Sequence, residues 1–239
     1  LPRSYRPRFF AVHMGDPLSN QATPLESQVM HRIQHLSGRT LRHMNKIRQI
    51  RQLIYDTFHS STVVLDHFRG DDDYARYYTS MYLIADTSQA VWSHMCGDFS
   101  QDPMRAYIEF WGVMQAIIIQ QDAICQLHAA VVGVPPHDGQ KGPAWNDLRE
   151  KRNLCAGHPA HRTHGVLAPQ RTFMGRHFGN YDRIQFELWD AHTKKTTHPT
   201  FNLRKLIDDY DLEASTILNI VLTKMRQLAA DENASTDHD

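Results

Sequence analysis

The run from Arg105 to Val132 constrains this chain more than any other stretch. Phe110, Trp111, Val113, Met114, Ile117, Ile118, Ile119, Ile124, Leu127 and Val131 leave it little polar surface. A helix apolar on most sides has to be covered on most sides, so this run predicts the central helix of a mainly α-helical domain. Asp102-Pro103 supplies its start, with proline at an early helical position. Gln120-Gln121-Asp122 interrupts the apolar run. On a helix, Gln115, Asp122 and Gln126 share one face, and Gln121 and His128 share another. Buried polar groups need partners. Either Asp122 and Gln121 face a neighbouring helix end, or they mark the solvent face.

The remaining pattern supplies what such a helix packs against. Val29, Ile33, Leu36, Met44, Ile47, Ile50, Ile54 and Phe58 recur at helical spacing, with a weak point at Gly38. Arg32, Arg39, Arg42, Lys46, Arg48 and Arg51 fall on the polar side, and no acidic residue stands between Glu26 and Asp56. That face suits a polyanion such as RNA, with Arg42, Lys46 and Arg48 as contacts, or is simply solvated. Gly70-Asp-Asp-Asp73 reads as a loop and helix start, followed by an aromatic-rich helix through Tyr74, Tyr77, Tyr78, Met81, Tyr82, Val91 and Met95. Tyrosines at that spacing read first as core, although exposed ones can stack on bases. Residues 134–143 form a Pro/Gly loop, residues 144–156 a fourth helix, and residues 159–169 another loop.

Beyond Arg171 the period changes. Ile184, Phe186 and Leu188 alternate with polar residues, and Phe201 and Leu203 repeat the alternation. This predicts a small β-hairpin within about residues 172–205. Asp211 or a neighbour then caps a last amphipathic helix through Leu212, Ile217, Ile220, Val221, Met225 and Leu228. The expected organisation is an N-terminal arm at 1–24, one helical domain at 25–231 and a polar tail at 232–239. Residues 1–13 precede Met14 and read as a basic arm or as lying before the native start.

Composition narrows the class. Of 239 residues, 41% are hydrophobic and 22% charged, which is enough apolar material for a packed core. Acidic and basic residues both number 26, so net charge says nothing about the partner. Three cysteines, Cys96, Cys125 and Cys155, are odd in number and far apart, arguing for a reducing cytoplasm rather than a disulfide framework. No apolar run reaches membrane-spanning length, and Arg8-Phe-Phe-Ala-Val12 is too short for a signal-peptide core.

The residues that carry chemistry sit in Leu148-Arg-Glu-Lys-Arg-Asn-Leu-Cys-Ala-Gly-His-Pro-Ala-His-Arg162. Arg152 and His158 can serve one phosphodiester: a guanidinium grips phosphate oxygens with a fixed fork of donors, and an imidazole moves a proton near neutral pH. On an ideal helix the two diverge in angle. They converge if the helix stops between them, for which Gly157 and Pro159 are the signals. Cys155, His158, His161 and His164 recur every three residues, but Pro159 removes the rigid scaffold a metal site needs, and no second ligand pair follows. No metal or cofactor is therefore expected. Phosphate-cradling glycine loops and a Gly-x-Ser-x-Gly elbow are absent from the sequence, and nothing identifies a base and orienter for Cys155 as a nucleophile.

An Arg-Asn-x4-His motif at the end of a helix in an apolar helical bundle resembles the HEPN superfamily. The resemblance implies an up-and-down helical bundle and a metal-independent RNA endonuclease. Arg152 would bind the scissile phosphate, His158 would act as acid or base, and Asn153 would hydrogen-bond the phosphate or hold the His tautomer. By helix position rather than by the resemblance, Asp122 or Gln121 would support the arginine. The resemblance further implies a 2′,3′-cyclic phosphate product, a homodimer pairing two motifs, and a role as toxin or phage-defence effector with an antitoxin or regulatory partner. The competing expectation is a non-catalytic helical module that binds RNA or protein.

Overall fold

The structure, a computed structural model, describes residues 46–60, 68, 70–160 and 169–236, with side chains to residue 230. The expected arm at 1–24, the helical pattern before residue 46, Arg42, His161 and His164 lie outside the described residues.

The described chain is mainly helical, with two small antiparallel sheets before its last helix. Helix α1 spans Lys46–Ser60, α2 Asp71–Gly97, α3 Pro103–Val132 and α4 Pro143–Arg152; a π-helical turn, Asn153–Gly157, continues α4. Strands β1 (Gln170–Phe173), β4 (Glu187–Asp190) and β5 (Lys195–Thr197) form one sheet. Strands β2 (Gly179–Asn180), β3 (Arg183–Gln185) and β6 (Thr200–Phe201) form the other. Helix α5, Leu203–Thr236, closes the chain. No helix among the described residues is long and apolar enough to cross a membrane.

Helix α3 is central, as its composition demands. It packs against α2, α5 and α4, and Phe110, Met114, Ile117, Ile124 and Leu127 are essentially inaccessible to water. Its start follows the sequence signal: Asp102 accepts the backbone N–H groups of Met104 and Arg105, both at 2.9 Å. Its end is set by Gly133, whose φ of +93° is left-handed and whose N–H returns to the Ala129 carbonyl. Of the polar interruption, Gln120 and Gln121 are buried and donate to neighbouring helices, whereas Asp122 is exposed. Gln120 donates to Ser88 and Thr87 on α2, and Gln121 donates to the Trp145 carbonyl on α4 at 3.0 Å.

Helix α5 is the second organiser. Leu203, Ile207, Tyr210, Ala214, Ile217, Leu218, Val221 and Met225 keep helical spacing and are all buried. It starts eight residues before Asp211, the expected cap. Asn202 does the capping, accepting the Lys205 N–H at 2.8 Å. Leu203 therefore opens this helix rather than ending a strand, and the helix runs to Thr236, past the expected end near residue 231. Asp211 caps a different helix: it accepts the backbone N–H groups of Lys46 and Ile47 at the described start of α1. Glu213 accepts those of Ala144 and Trp145, at 3.0 and 2.7 Å, at the start of α4. Gly142 precedes that start, and a side chain there would collide with the Glu213 carboxylate.

The single hairpin expected at 172–205 is replaced by two three-stranded sheets. Ile184 does pair with Phe201, but Leu188 lies in the other sheet, opposite Thr172 and Thr197. Phe186 stands at the crossover and buries its ring, so the alternation of side chains survives while the hydrogen-bonding partner changes. Met174, Phe178, Tyr181 and Ile184 join the helical core; Tyr181 stacks on Phe99 at 4.6 Å and meets His94 Nδ1 at 2.7 Å.

Candidate functional site

Arg152 is the last residue of α4, held at the level of α3 by Gln115. Arg152 Nη2 donates to Gln115 Oε1 at 3.0 Å, and Nη1 donates to Asn153 Oδ1 at 3.1 Å. Of the five N–H donors of a guanidinium, these two are engaged among the described residues. The position is half-buried.

The helix does not stop at Gly157 by a left-handed turn. It widens instead: Asn153–Gly157 is π-helical, and the His158 N–H closes on the Asn153 carbonyl at 2.8 Å. Such single π turns recur at functional sites because they carry a side chain off the helical path. Gly157 has a different job from the one its residue type suggests. A Cβ there would lie 2.7 Å from Arg152 Nη1 and 3.1 Å from Cζ. The guanidinium thus rests against the bare Cα of the residue next to His158, which is exposed. Thr172 of β1 fastens the turn from outside. Its N–H donates to the Pro159 carbonyl at 2.8 Å, and its hydroxyl donates to the Leu154 carbonyl.

The side chains expected to support Arg152 are assigned elsewhere. Asp122 pairs with Arg149, one turn before Arg152 on α4. Gln121 lies in the core and holds the α4 backbone at Trp145. Helices α3 and α4 run antiparallel, so Asp122 meets the earlier arginine and Gln115, seven residues back on the same face, meets the later one. Gln115 carries one sequence signal: it shares the face of Asp122. A preference for a charged partner of arginine favours the wrong member of that pair. Asn153 is likewise turned toward the guanidinium, a positioning role distinct from those expected for it.

The basic helix contributes less than its sequence implies. Arg51 is buried, donating through Nε to the Met81 carbonyl at 3.1 Å and lying over the Tyr55 ring; burial lowers its pKa. Arg48 is exposed and Lys46 half-buried. Helix α1 packs on α5 and α2, and among the described residues no hydrogen bond or ion pair joins Lys46 or Arg48 to Arg152, Asn153 or His158. The tyrosine stripe of α2 divides: Tyr77 is core, whereas Tyr74 and Tyr82 are exposed.

Cys155 is buried, which pushes its thiol up to about 12, the wrong direction for a nucleophile or a metal-binding thiolate. Among the described residues no three His, Cys, Asp or Glu side chains gather as metal ligands would. Comparison with protein-family models, with curated proteins and with solved structures gave no match.

Proposed function

We propose that the chain is a metal-independent endoribonuclease of the HEPN type, its helices forming a HEPN-like up-and-down bundle. The observation that carries this reading is the placement of Arg152. Its guanidinium is oriented by Gln115 and Asn153 against Gly157, the residue that precedes the exposed His158 in the chain. Arginine fixed in this way binds a phosphate without first losing its rotamer freedom.

In the reaction, a base takes the proton of an RNA 2′-hydroxyl and O2′ attacks the adjacent phosphorus. The P–O5′ bond breaks, and O5′ leaves with a proton from an acid. The products are a 2′,3′-cyclic phosphate and a 5′-hydroxyl. His158 fills the base or the acid role, and Arg152 stabilises the charge that develops on the phosphate oxygens. One chain supplies one such pair, so a symmetric homodimer that brings two motifs together supplies both roles. A role as toxin or defence effector, held in check by an antitoxin or other regulatory protein, follows from the family analogy alone.

The test is cleavage of labelled RNA by the wild-type chain with and without EDTA, and by Arg152→Ala and His158→Ala. The expected result is a cyclic-phosphate product, indifference to EDTA, and loss of cleavage in both variants with helical content retained. Mixing the two variants restores part of the activity if each site uses both chains. Cleavage that survives in both variants, or needs added zinc, overturns the proposal; RNA binding without cleavage leaves a non-catalytic module.

A further inference from the structure

The exposed face of α3 does not end at Gln115. One turn toward the N-terminus, about 6 Å along the axis, stands Trp111, which is 43% exposed although its sequence context reads as core. Ile108 and Met104 continue the stripe and are also exposed. A tryptophan open to water on the central helix needs a reason, since its burial would contribute more than that of Ile108 or Met104.

Two features hold this ring ready for a flat partner. Tyr107 meets it edge to face, with centroids 4.9 Å apart and planes at 87°. Tyr107 is itself pinned, its hydroxyl donating to the Met174 carbonyl at 2.7 Å. The indole is therefore buttressed on one side. The surface beside it is open: a Cβ on the adjacent Gly112 would meet nothing within 4 Å. The stripe thus presents a cation at one end, Arg152 on Gln115, and a fixed aromatic ring one turn away.

We infer that Trp111 is a stacking platform for an unpaired base neighbouring the phosphate held by Arg152, which makes the substrate single-stranded at the point of cleavage. This rests on the ribonuclease reading above. A fixed cation with an adjacent aromatic face is the combination that binds single-stranded nucleic acid, because every base offers a π face and every linkage a negative charge. A base inside a duplex is already stacked on both sides and cannot use the ring.

Phe173 is the internal control. It is 61% exposed, but it follows Thr172 in β1, whose side chain bonds the π turn, so Phe173 projects from the opposite face of the strand.

The experiment measures binding of the full chain to a fluorescein-labelled 2′-O-methyl oligonucleotide, which lacks the nucleophilic hydroxyl and is not cleaved. The same oligonucleotide annealed to its complement is the second probe. Trp111→Ala is expected to weaken single-strand binding by about 5- to 100-fold, the range for one stacked base. It should leave the salt dependence unchanged, because no phosphate contact is lost. Trp111→Phe should recover most of the affinity, Phe173→Ala should match wild type, and the duplex should bind more weakly and ignore Trp111→Ala. Wild-type cleavage of RNA combined with unchanged single-strand affinity in Trp111→Ala overturns the stacking role and leaves the nuclease standing. Loss of self-association in Trp111→Ala with RNA affinity intact also overturns it and gives the face to a second copy. A wild-type chain that neither binds nor cleaves RNA removes both readings.

Discussion

The guanidinium of Arg152 occupies the space in which a side chain at Gly157 would stand. The encroaching atoms are the far end of a flexible side chain, so an added methyl moves the guanidinium rather than the backbone. Gly157→Ala should leave the fold intact and stabilise it slightly, by about 0.5–1 kcal/mol, as glycine replacement within a helical turn does. Cleavage should fall by about 100-fold, the cost of a displacement near 1 Å at a reacting centre. Thermal unfolding and single-turnover cleavage on one preparation check both signs. Full activity in the variant would detach Arg152 from the chemistry.

Gln115 and Asp122 share a face of α3 but hold different arginines, and substitution separates them. Gln115→Ala frees the guanidinium from one of its two fixed partners and should lower kcat about tenfold, a loss on the scale of one hydrogen bond to a charged group. Asp122→Ala removes a solvent-exposed ion pair with Arg149 and should cost no more than about 1 kcal/mol of stability, with cleavage unchanged. Equal losses of kcat in both would mean that α4 is positioned as a whole and that Gln115 has no special claim.

Asp211 makes stability depend on pH. Only 2% of it is exposed, and burial raises its pKa to about 7 against the pull of the Ile47 and Lys46 N–H groups and the Lys46 charge, with Asp208 adding to the rise. In the unfolded chain an aspartate titrates near 3.9. Between those values the folded state holds a proton that the unfolded state has released. The stabilisation is thus complete below about pH 4, declines as pH rises toward 7, and is gone above it, a change on the order of a few kcal/mol. Urea unfolding at pH 5, 6 and 8 should show this decline in wild type and a flatter profile in Asp211→Asn. Parallel profiles would exclude Asp211 as its source.

Glu213 holds the start of the helix that carries Arg152. Glu213→Ala leaves the Ala144 and Trp145 N–H groups without their carboxylate and should cost about 1–3 kcal/mol, seen as a drop of several degrees in Tm. Glu213→Gln keeps an acceptor and should lose less. A Tm unchanged in the alanine variant would show that water replaces the cap in full.

What the sequence revealed divides along physical lines. Burial was legible, because apolar spacing reports which face leaves water: α3 runs Pro103–Val132, starting at Asp102-Pro103 as expected and containing the apolar run 105–132, and α5 is amphipathic as its spacing implies. Partners were not. Asp211 has the residue type of a cap and is one, but for a helix 164 positions away. Ile184, Phe186 and Leu188 alternate as one strand would, yet the strand changes sheets at Phe186, since alternation records the facing of side chains and not the neighbour of the backbone. Arg51 reads as solvated by its charge, whereas its guanidinium satisfies the Met81 carbonyl in the interior. At the site, Arg152 ends α4 and His158 follows the π turn, whereas Gln115 and the steric role of Gly157 depend on packing between segments that no local pattern encodes.

Synthesis delivers the carboxylates at two helix starts after the helices themselves. Glu213 follows Ala144 by 69 residues, and Asp211 follows Ile47 by 164. On the ribosome, where the chain emerges from its N-terminus, the starts of α1 and α4 are therefore translated long before the carboxylates that cap them. Neither cap can close until α5 is made, so the helix bearing Arg152 gains its anchor only as the last helix emerges.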